Sequence, residues 1–122
     1  MKKTETLKKN ADYKDIYRTG KSYANKYLIM YVKKNGLDSN RIGISVSKKV
    51  GNSVVRHRIT RLVRESYRLL EENIIIGLDI VVVARVNAKG KSYSEIDSAV
   101  IHLMKLHKIW VNNKETGMDS LI

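Results

Sequence analysis

Apolar positions recur along this chain with two different periods, and the changes of period mark its elements. Leu7 precedes a segment from Asn10 to about Thr19 that reads as a helix, with Asn10 placed to cap it and Gly20 at its C-terminal end, where a left-handed residue is favoured. Tyr13 and Tyr17 stand four apart on one face of that helix. Lys21 to Asn25 predicts a short strand. Tyr27 to Lys33 and Arg41 to Ser47 then alternate with period two. In the first, Leu28, Met30 and Val32 oppose Tyr27, Ile29 and Tyr31; in the second, Ile42, Ile44 and Val46 oppose Gly43, Ser45 and Ser47. Asn35-Gly36 between them is a turn signal, and the expected arrangement is a hairpin with a somewhat extended loop.

Ser53 to Glu72 switches to the helical period. With Arg58 set at 0° and about 100° per residue, Val55, Ile59, Leu62, Val63, Leu69 and Leu70 fall between roughly 20° and 140°. His57, Arg61, Arg64 and Arg68 fall between roughly 240° and 300° on the same convention, so a core face is opposed by a basic one. Leu78 to Arg85 contains Ile80-Val81-Val82-Val83-Ala84, a continuous apolar run that suits a strand buried on both faces inside a sheet. A last helix is predicted from Ser92, with Glu95 completing a capping box, to about Trp110, with Ile96, Val100, Leu103 and Trp110 inward. No repeat or linker divides residues 1–122, so a single domain is expected, with a polar tail fraying from about residue 113.

Charge changes the picture from a fold to a partner. Twenty-four Lys and Arg against 12 Asp and Glu leave a formal net charge of +12. An excess of that size points to a polyanion, because cations placed on phosphates release condensed counterions. Between Lys48 and Arg68 a single acid, Glu65, accompanies seven Lys and Arg. A solvated helix ordinarily interleaves acids at i, i+4, whereas arginines gathered on one face suit phosphate oxygens and base stacking. Lys48, Lys49 and Asn52, at the start of that helix, add backbone N–H groups and two ammonium groups as a second phosphate seat.

Other chemistry is poorly supplied. The chain has no cysteine, which removes disulfides, thiol nucleophiles and cysteine zinc sites. Its acids are scattered, and His102 and His107 are about 140° apart on a helix, so neither metal holding nor paired acid–base catalysis is expected and both histidines read as structural. The longest apolar runs are far too short to span a bilayer and no apolar segment follows the basic N-terminus, so a soluble cytoplasmic protein is expected.

The run from Arg41 through Ser47-Lys48-Lys49-Val50-Gly51-Asn52-Ser53 to Arg56-His57-Arg58 and Arg61-Leu62-Val63-Arg64-Glu65 resembles the signature of the bacterial ribonuclease P protein subunit. Weaker similarity extends to Leu7, Tyr13, Gly20, Asp79 to Arg85 and Tyr93, most of the chain. The resemblance implies an α+β fold, α-β-β-β-α-β-α in two layers, with a four-stranded sheet and a left-handed β-α-β crossover, similar to the second domain of a small-subunit ribosomal protein. It implies a subunit that binds a catalytic RNA and the 5′ leader of precursor tRNA, in one-to-one complex with that RNA. The RNA, with Mg2+ that it holds itself, cuts the leader, and the isolated protein is inactive. Carried over by position, Lys49, Asn52, Arg56, His57, Arg58, Arg61, Arg64 and Arg68 would face the catalytic RNA. Tyr13, Tyr17, Tyr31, Ser45, Ser47 and Lys48 would line a cleft for the leader, where ring stacking accepts any base. His57 stands where the family most often has Asn, and Tyr13 replaces the usual Phe. The competing reading is a non-catalytic ribosomal or RNA-chaperone type of RNA-binding protein; a DNA-reading helix-turn-helix lacks its short first helix.

Overall fold

The computed structural model describes residues 3–111; the polar tail from about residue 113 lies outside the described residues. In chain order the elements are β1 (Thr4–Thr6), α1 (Asn10–Thr19), β2 (Lys21–Ala24), β3 (Leu28–Lys34), β4 (Asn40–Ser45), α2 (Ser53–Leu70), β5 (Leu78–Ala84) and α3 (Tyr93–Leu106). Short 3-10 turns at Glu71–Asn73 and Val86–Ala88 flank β5. Among the described residues the sheet has five strands in the order β1-β4-β5-β3-β2, one more than the four expected. The addition is β1, three residues paired parallel to β4 from Thr4↔Asn40 to Thr6↔Ile42. So short a segment carries no measurable alternation, and only its pairing makes it a strand.

The expected hairpin of Tyr27–Lys33 with Arg41–Ser47 is not formed. β5 sits between the two, antiparallel to β3 (Met30↔Val82) and parallel to β4 (Ile42↔Ile80). The physical reason is burial: Ile80, Val81 and Val82 are at most 1% exposed, and only an interior strand covers both of their faces. Asn35-Gly36 still reverses the chain, with Gly36 at φ 73°, but across the width of a third strand. The parallel pair β4 and β5 is joined through α2, the crossover that the resemblance implied.

The two faces of the sheet are covered differently. Leu28, Met30, Val32, Ile42, Ile80 and Val82 belong to the main core, with Ile59, Val63 and Tyr67 of α2 and Ile96, Val100 and Leu103 of α3. Val81 of the opposite face packs with Leu7 and Ile16 of α1, and Tyr13, Tyr31 and Val83 close round them. Buried Asn40 fastens the starts of β4 and β5: its Oδ1 accepts from the N–H groups of Gly77 (2.8 Å) and Leu78 (2.9 Å), and its Nδ2 donates to the Ile75 carbonyl (3.2 Å). Its second Nδ2 hydrogen goes to the Tyr67 hydroxyl at 3.4 Å, so all four of its hydrogen-bonding sites are used, as a buried amide requires.

Several local expectations shift. Lys9, not Asn10, occupies the N-cap of α1 and gives no side-chain cap; Asn10 is the first helical residue. Gly20 is extended (φ −77°, ψ 157°), and glycine suits it for another reason: a Cβ would stand 2.6 Å from the Ile16 carbonyl oxygen. On α2 the buried residues are Ile59, Val63, Ser66 and Tyr67, so the inward arc is turned toward Tyr67, and Leu69, expected inside, is 56% exposed. Tyr67 is drawn in by polar partners, its hydroxyl lying 2.7 Å from Thr4 Oγ1 and accepting from Asn40 Nδ2 at 3.4 Å. The capping box of Ser92 and Glu95 forms, but α3 stops at Leu106, where Lys108 at φ 59° turns the chain. Trp110 therefore lies beyond the helix, bridged to Ile74 and half-buried.

Candidate nucleic-acid interface

The site grows from the ends of β4 and the helices on either face of the sheet. β4 ends at Ser45, before the predicted Ser47, and Ser47, Lys48 and Lys49 stand exposed in the turns that lead to α2. Asn52 is the N-cap, its side-chain oxygen accepting from the Val55 N–H at 3.0 Å. That bond occupies the Asn52 carbonyl in organising the helix start, close to where the sequence placed a phosphate seat.

From this start the basic face of α2 is displayed as the periodicity required. His57, Arg58, Arg61, Arg64 and Arg68 are exposed, while Arg56 lies half-buried against the sheet side. Arg68 differs from the rest: it forms a two-pronged pair with Glu65, at 2.6 and 3.0 Å, so the one acid of the segment neutralises the far end of the face. Hydrogen bonding from Arg68 holds the Glu65 carboxyl below its ordinary range. Among the described residues no carboxylate pairs with Arg56, His57, Arg58, Arg61 or Arg64. The free charge is thus concentrated in the first three turns.

On the opposite face the tyrosines meet as predicted. Tyr17 and Tyr31 pack edge to face with ring centroids 4.9 Å apart, and Tyr13 lies 6.4 Å from Tyr17. Tyr13 lies directly over Gly43, where a Cβ would come within 2.5 Å of its hydroxyl, so the glycine on β4 makes room for the ring. Tyr17 is 39% exposed and borders a solvent-open hollow. That hollow, of about 480 Å³, is bounded by Asn10, Tyr13, Lys14, Tyr17, Ile44 and Ser45. Ser45 thus joins Tyr13 and Tyr17, while Tyr31, behind Tyr17, and Ser47 and Lys48 do not line it.

Two features connect the cleft with the basic face, and neither was legible beforehand. A second hollow of about 350 Å³, bounded by Ile44, Val46, Ser53, Arg56, His57, Thr60 and Arg64, shares Ile44 with the tyrosine hollow. Burial and then the neighbouring Tyr17 push the Tyr13 phenol up, while a bond with the Ile44 backbone and the charge of Arg64 act the other way, which places Arg64 within electrostatic reach of the cleft. The Nε of Arg56 is buried there without a hydrogen-bond partner. Beyond Arg64 a third hollow, about 510 Å³, adds Tyr93 of α3 beside Arg58 and Arg61. Lys14, beside Tyr13 on α1, and Tyr93, about 30 to 35 residues from the arginines it joins, were not among the site residues expected, because no local pattern ties either of them to the cleft or to the basic face.

The two other histidines have partners within the fold. His102 Nδ1 lies 3.2 Å from Asn25 Nδ2, and His107 Nε2 donates to the Met30 carbonyl at 2.8 Å. Among the described residues no three His, Asp or Glu side chains converge to hold a metal ion, and no helix is long and apolar enough to cross a membrane.

This geometry has close counterparts. A family model described as Ribonuclease P matches residues 1–108. The ribonuclease P protein component of Lachnoclostridium phytofermentans is 65% identical over 106 residues, covering 87% of this chain and 91% of the relative. That of Clostridioides difficile is 48% identical over 104 residues, covering 84% and 91%. Among solved structures, the Staphylococcus aureus RNase P protein is similar with a TM-score of 0.80 at 40% identity, covering 86% of this chain and 96% of the other. The Thermotoga maritima RNase P protein gives 0.76 at 32% identity, covering 83% and 96%.

Proposed function

The chain belongs to the ribonuclease P protein family and is a protein component of the complex that processes tRNA 5′ ends; from that premise we propose how its two faces divide the work. The basic face of α2, from Lys49 and Asn52 through Arg56, His57, Arg58, Arg61 and Arg64, docks on the catalytic RNA. The cleft of Tyr13, Tyr17, Tyr31 and Ser45 holds the unpaired 5′ leader of precursor tRNA, with Ser47 and Lys48 at the strand end beside it. The observation that carries this reading is the concentration, among the described residues, of arginines without ion pairs on one side of Ile44 and of partly exposed tyrosines packed edge to face on the other. Arg58, Arg61 and Arg64 supply charge for phosphates in any sequence, and ring faces accept any base, which suits a leader of variable sequence.

Bond cleavage is assigned to the RNA partner. Mg2+ is assigned to the RNA, as the family resemblance implies, and the protein contributes binding and orientation. The complex pairs one protein with one RNA and works in the cytoplasm. The paired charge of Arg68 and Glu65 marks the outer limit of the docking face, and Arg68 contributes less than Arg61 or Arg64.

The test is a double dissociation in the complex reconstituted with a bacterial ribonuclease P RNA. Arg61→Ala with Arg64→Ala should weaken binding of the catalytic RNA and flatten its dependence on salt. Tyr17→Ala should leave that step nearly intact and reduce the preference for precursor over mature tRNA by about 1 to 3 kcal/mol, the worth of one base stack. Equal losses of both steps in both variants would refute the division.

A further inference from the structure

At the end of the sheet where β4 and β5 begin, Arg41 forms a two-pronged pair with Asp79 (2.6 and 2.8 Å) and Lys33 pairs with Asp15, while Lys34, opposite Leu78, makes no ion pair among the described residues. At the end where β4 and β5 finish, no Lys or Arg of the loops forms an ion pair among the described residues. Ser45 pairs with Val83 and Leu28 with Ala84, so the segments that leave β4, leave β5 and enter β3 lie side by side there. The β4 segment carries Lys48 and Lys49, already placed at the RNA face. The other two segments carry Lys26, Lys89 and Lys91, which the RNA-binding reading above does not use.

These three lysines surround one ring. With Tyr27, Val86 and Asn87 they bound a hollow of about 430 Å³. Lys91 Nζ lies 5.4 Å from the Tyr27 centroid, over its face. The ring is held in place, because the Tyr27 hydroxyl donates to Glu95 at 3.3 Å and its N–H donates to Asn25 Oδ1 at 3.2 Å. Arg85 ties the same two loops together, donating from its side chain to the Asn25 carbonyl at 2.9 Å and from its N–H to the Tyr27 carbonyl at 2.8 Å. Glu95, which accepts from the Tyr27 hydroxyl, also accepts from Ser92 in the capping box and places one negative charge within reach of Lys91, against three lysines. None of the three lysines forms an ion pair among the described residues. Three like charges converge on a hollow whose walls are fixed by hydrogen bonds, a cost that an anion in the hollow would relieve.

We propose that Lys26, Lys89 and Lys91, gathered around Tyr27, form a second seat for RNA phosphates, separate from the α2 face. Neighbouring strands are spaced by about 4.8 Å, so this seat and Lys48-Lys49 lie along one edge within reach of a single RNA backbone crossing the strand ends. The proposal rests on the RNA-binding reading above and extends it to a surface that the arginine face does not include. The ligand chemistry is the phosphodiester; it can belong to the catalytic RNA or to the precursor tRNA, and the measurement separates them.

The experiment compares Lys26→Ala/Lys89→Ala/Lys91→Ala with Lys3→Ala/Lys34→Ala/Lys105→Ala, which removes the same charge elsewhere, in the complex reconstituted with a bacterial ribonuclease P RNA. Unfolding curves of both free proteins should match wild type. The seat variant should lose about tenfold in affinity for one of the two RNAs across a salt series, and the slope of log affinity against log salt should shrink by roughly 2 to 3 for three phosphates released. A loss confined to protein–catalytic RNA binding identifies that RNA as the occupant, and one confined to precursor capture identifies the substrate. Equal effects of the two triple variants on both RNAs, or none from either, would overturn the seat. The Arg61/Arg64 variant run alongside keeps the outcomes apart, since its loss of binding persists if only the lysine seat is wrong.

Discussion

Single residues in this protein do their work through what they are forced against. Gly43 is a core strand position whose missing side chain is the floor under Tyr13, so the cleft depends on an absence. His107 shows the same logic with charge. Its Nε2 donates to the Met30 carbonyl and its ring meets Tyr23 edge to face at 4.7 Å, in a half-buried place where burial outweighs the bond and disfavours the proton. Burial, opposed by the Met30 bond and reinforced by Lys21, holds the His107 imidazole below its ordinary value of 6.5. The unfolded chain therefore binds a proton more readily, and stability is full above about pH 6.5 and declines as pH falls through that value toward the folded one. Denaturant unfolding at a series of pH values should show this decline in wild type and a shallower one in His107→Gln; equal slopes between pH values near 7 and near 5 would exclude His107 as the source.

At the level of elements, α2 is the part on which the site depends, and its start is decided by one side chain. Asn52 satisfies the Val55 N–H that the helix leaves unpaired and so orients the turn carrying Arg56, His57 and Arg58. Removing the cap in Asn52→Ala should cost about 1 kcal/mol of stability by urea unfolding, whereas Asn52→Ser should restore most of it. Binding of the catalytic RNA tells cap from contact: a cap alone leaves Asn52→Ser equal to wild type, and a direct amide contact leaves it as weak as Asn52→Ala. The other end of the helix is held from outside, by Ser66 Oγ donating to Asp97 of α3 at 2.7 Å and by Tyr67 against Thr4 and Asn40. A helix so anchored at both ends presents its arginines on a rigid rod.

For the molecule as a whole, net charge sets two opposing responses to salt. A chain at +12 repels itself when compact, so screening favours the folded protein, while the same screening weakens its hold on RNA. Raising ionic strength from low values to about 0.15 M should therefore raise the melting temperature of the free protein and shrink the additional stabilisation contributed by bound catalytic RNA. A free protein whose melting temperature falls over that range would show that the ion pairs Arg41–Asp79, Lys33–Asp15 and Arg68–Glu65 outweigh the repulsion.

What the sequence determined by itself is which side of each element turns inward. Period two in β3, the unbroken apolar run of β5 and the exposed basic face of α2 hold in the structure, and the inward arc of α2 holds at Ile59 and Val63 but turns toward Tyr67 and leaves Leu69 outside; burial of a side chain follows first from its angle on a local lattice. The pairing of Tyr13 with Tyr17 and the open face of Arg61 and Arg64 follow from the same rule. Tertiary structure alone decided who stands beside whom. Asn35-Gly36 reverses the chain equally well for a hairpin or for a wider return, and the choice fell to β5, whose two apolar faces only an interior place could cover. β1 exists because β4 had a free edge, Tyr67 is buried because Thr4 and Asn40 reach its hydroxyl, and Tyr93 joins Arg58 and Arg61 because α3 packs beside α2. These are contacts between distant segments, and their free energy comes from groups that no local window contains.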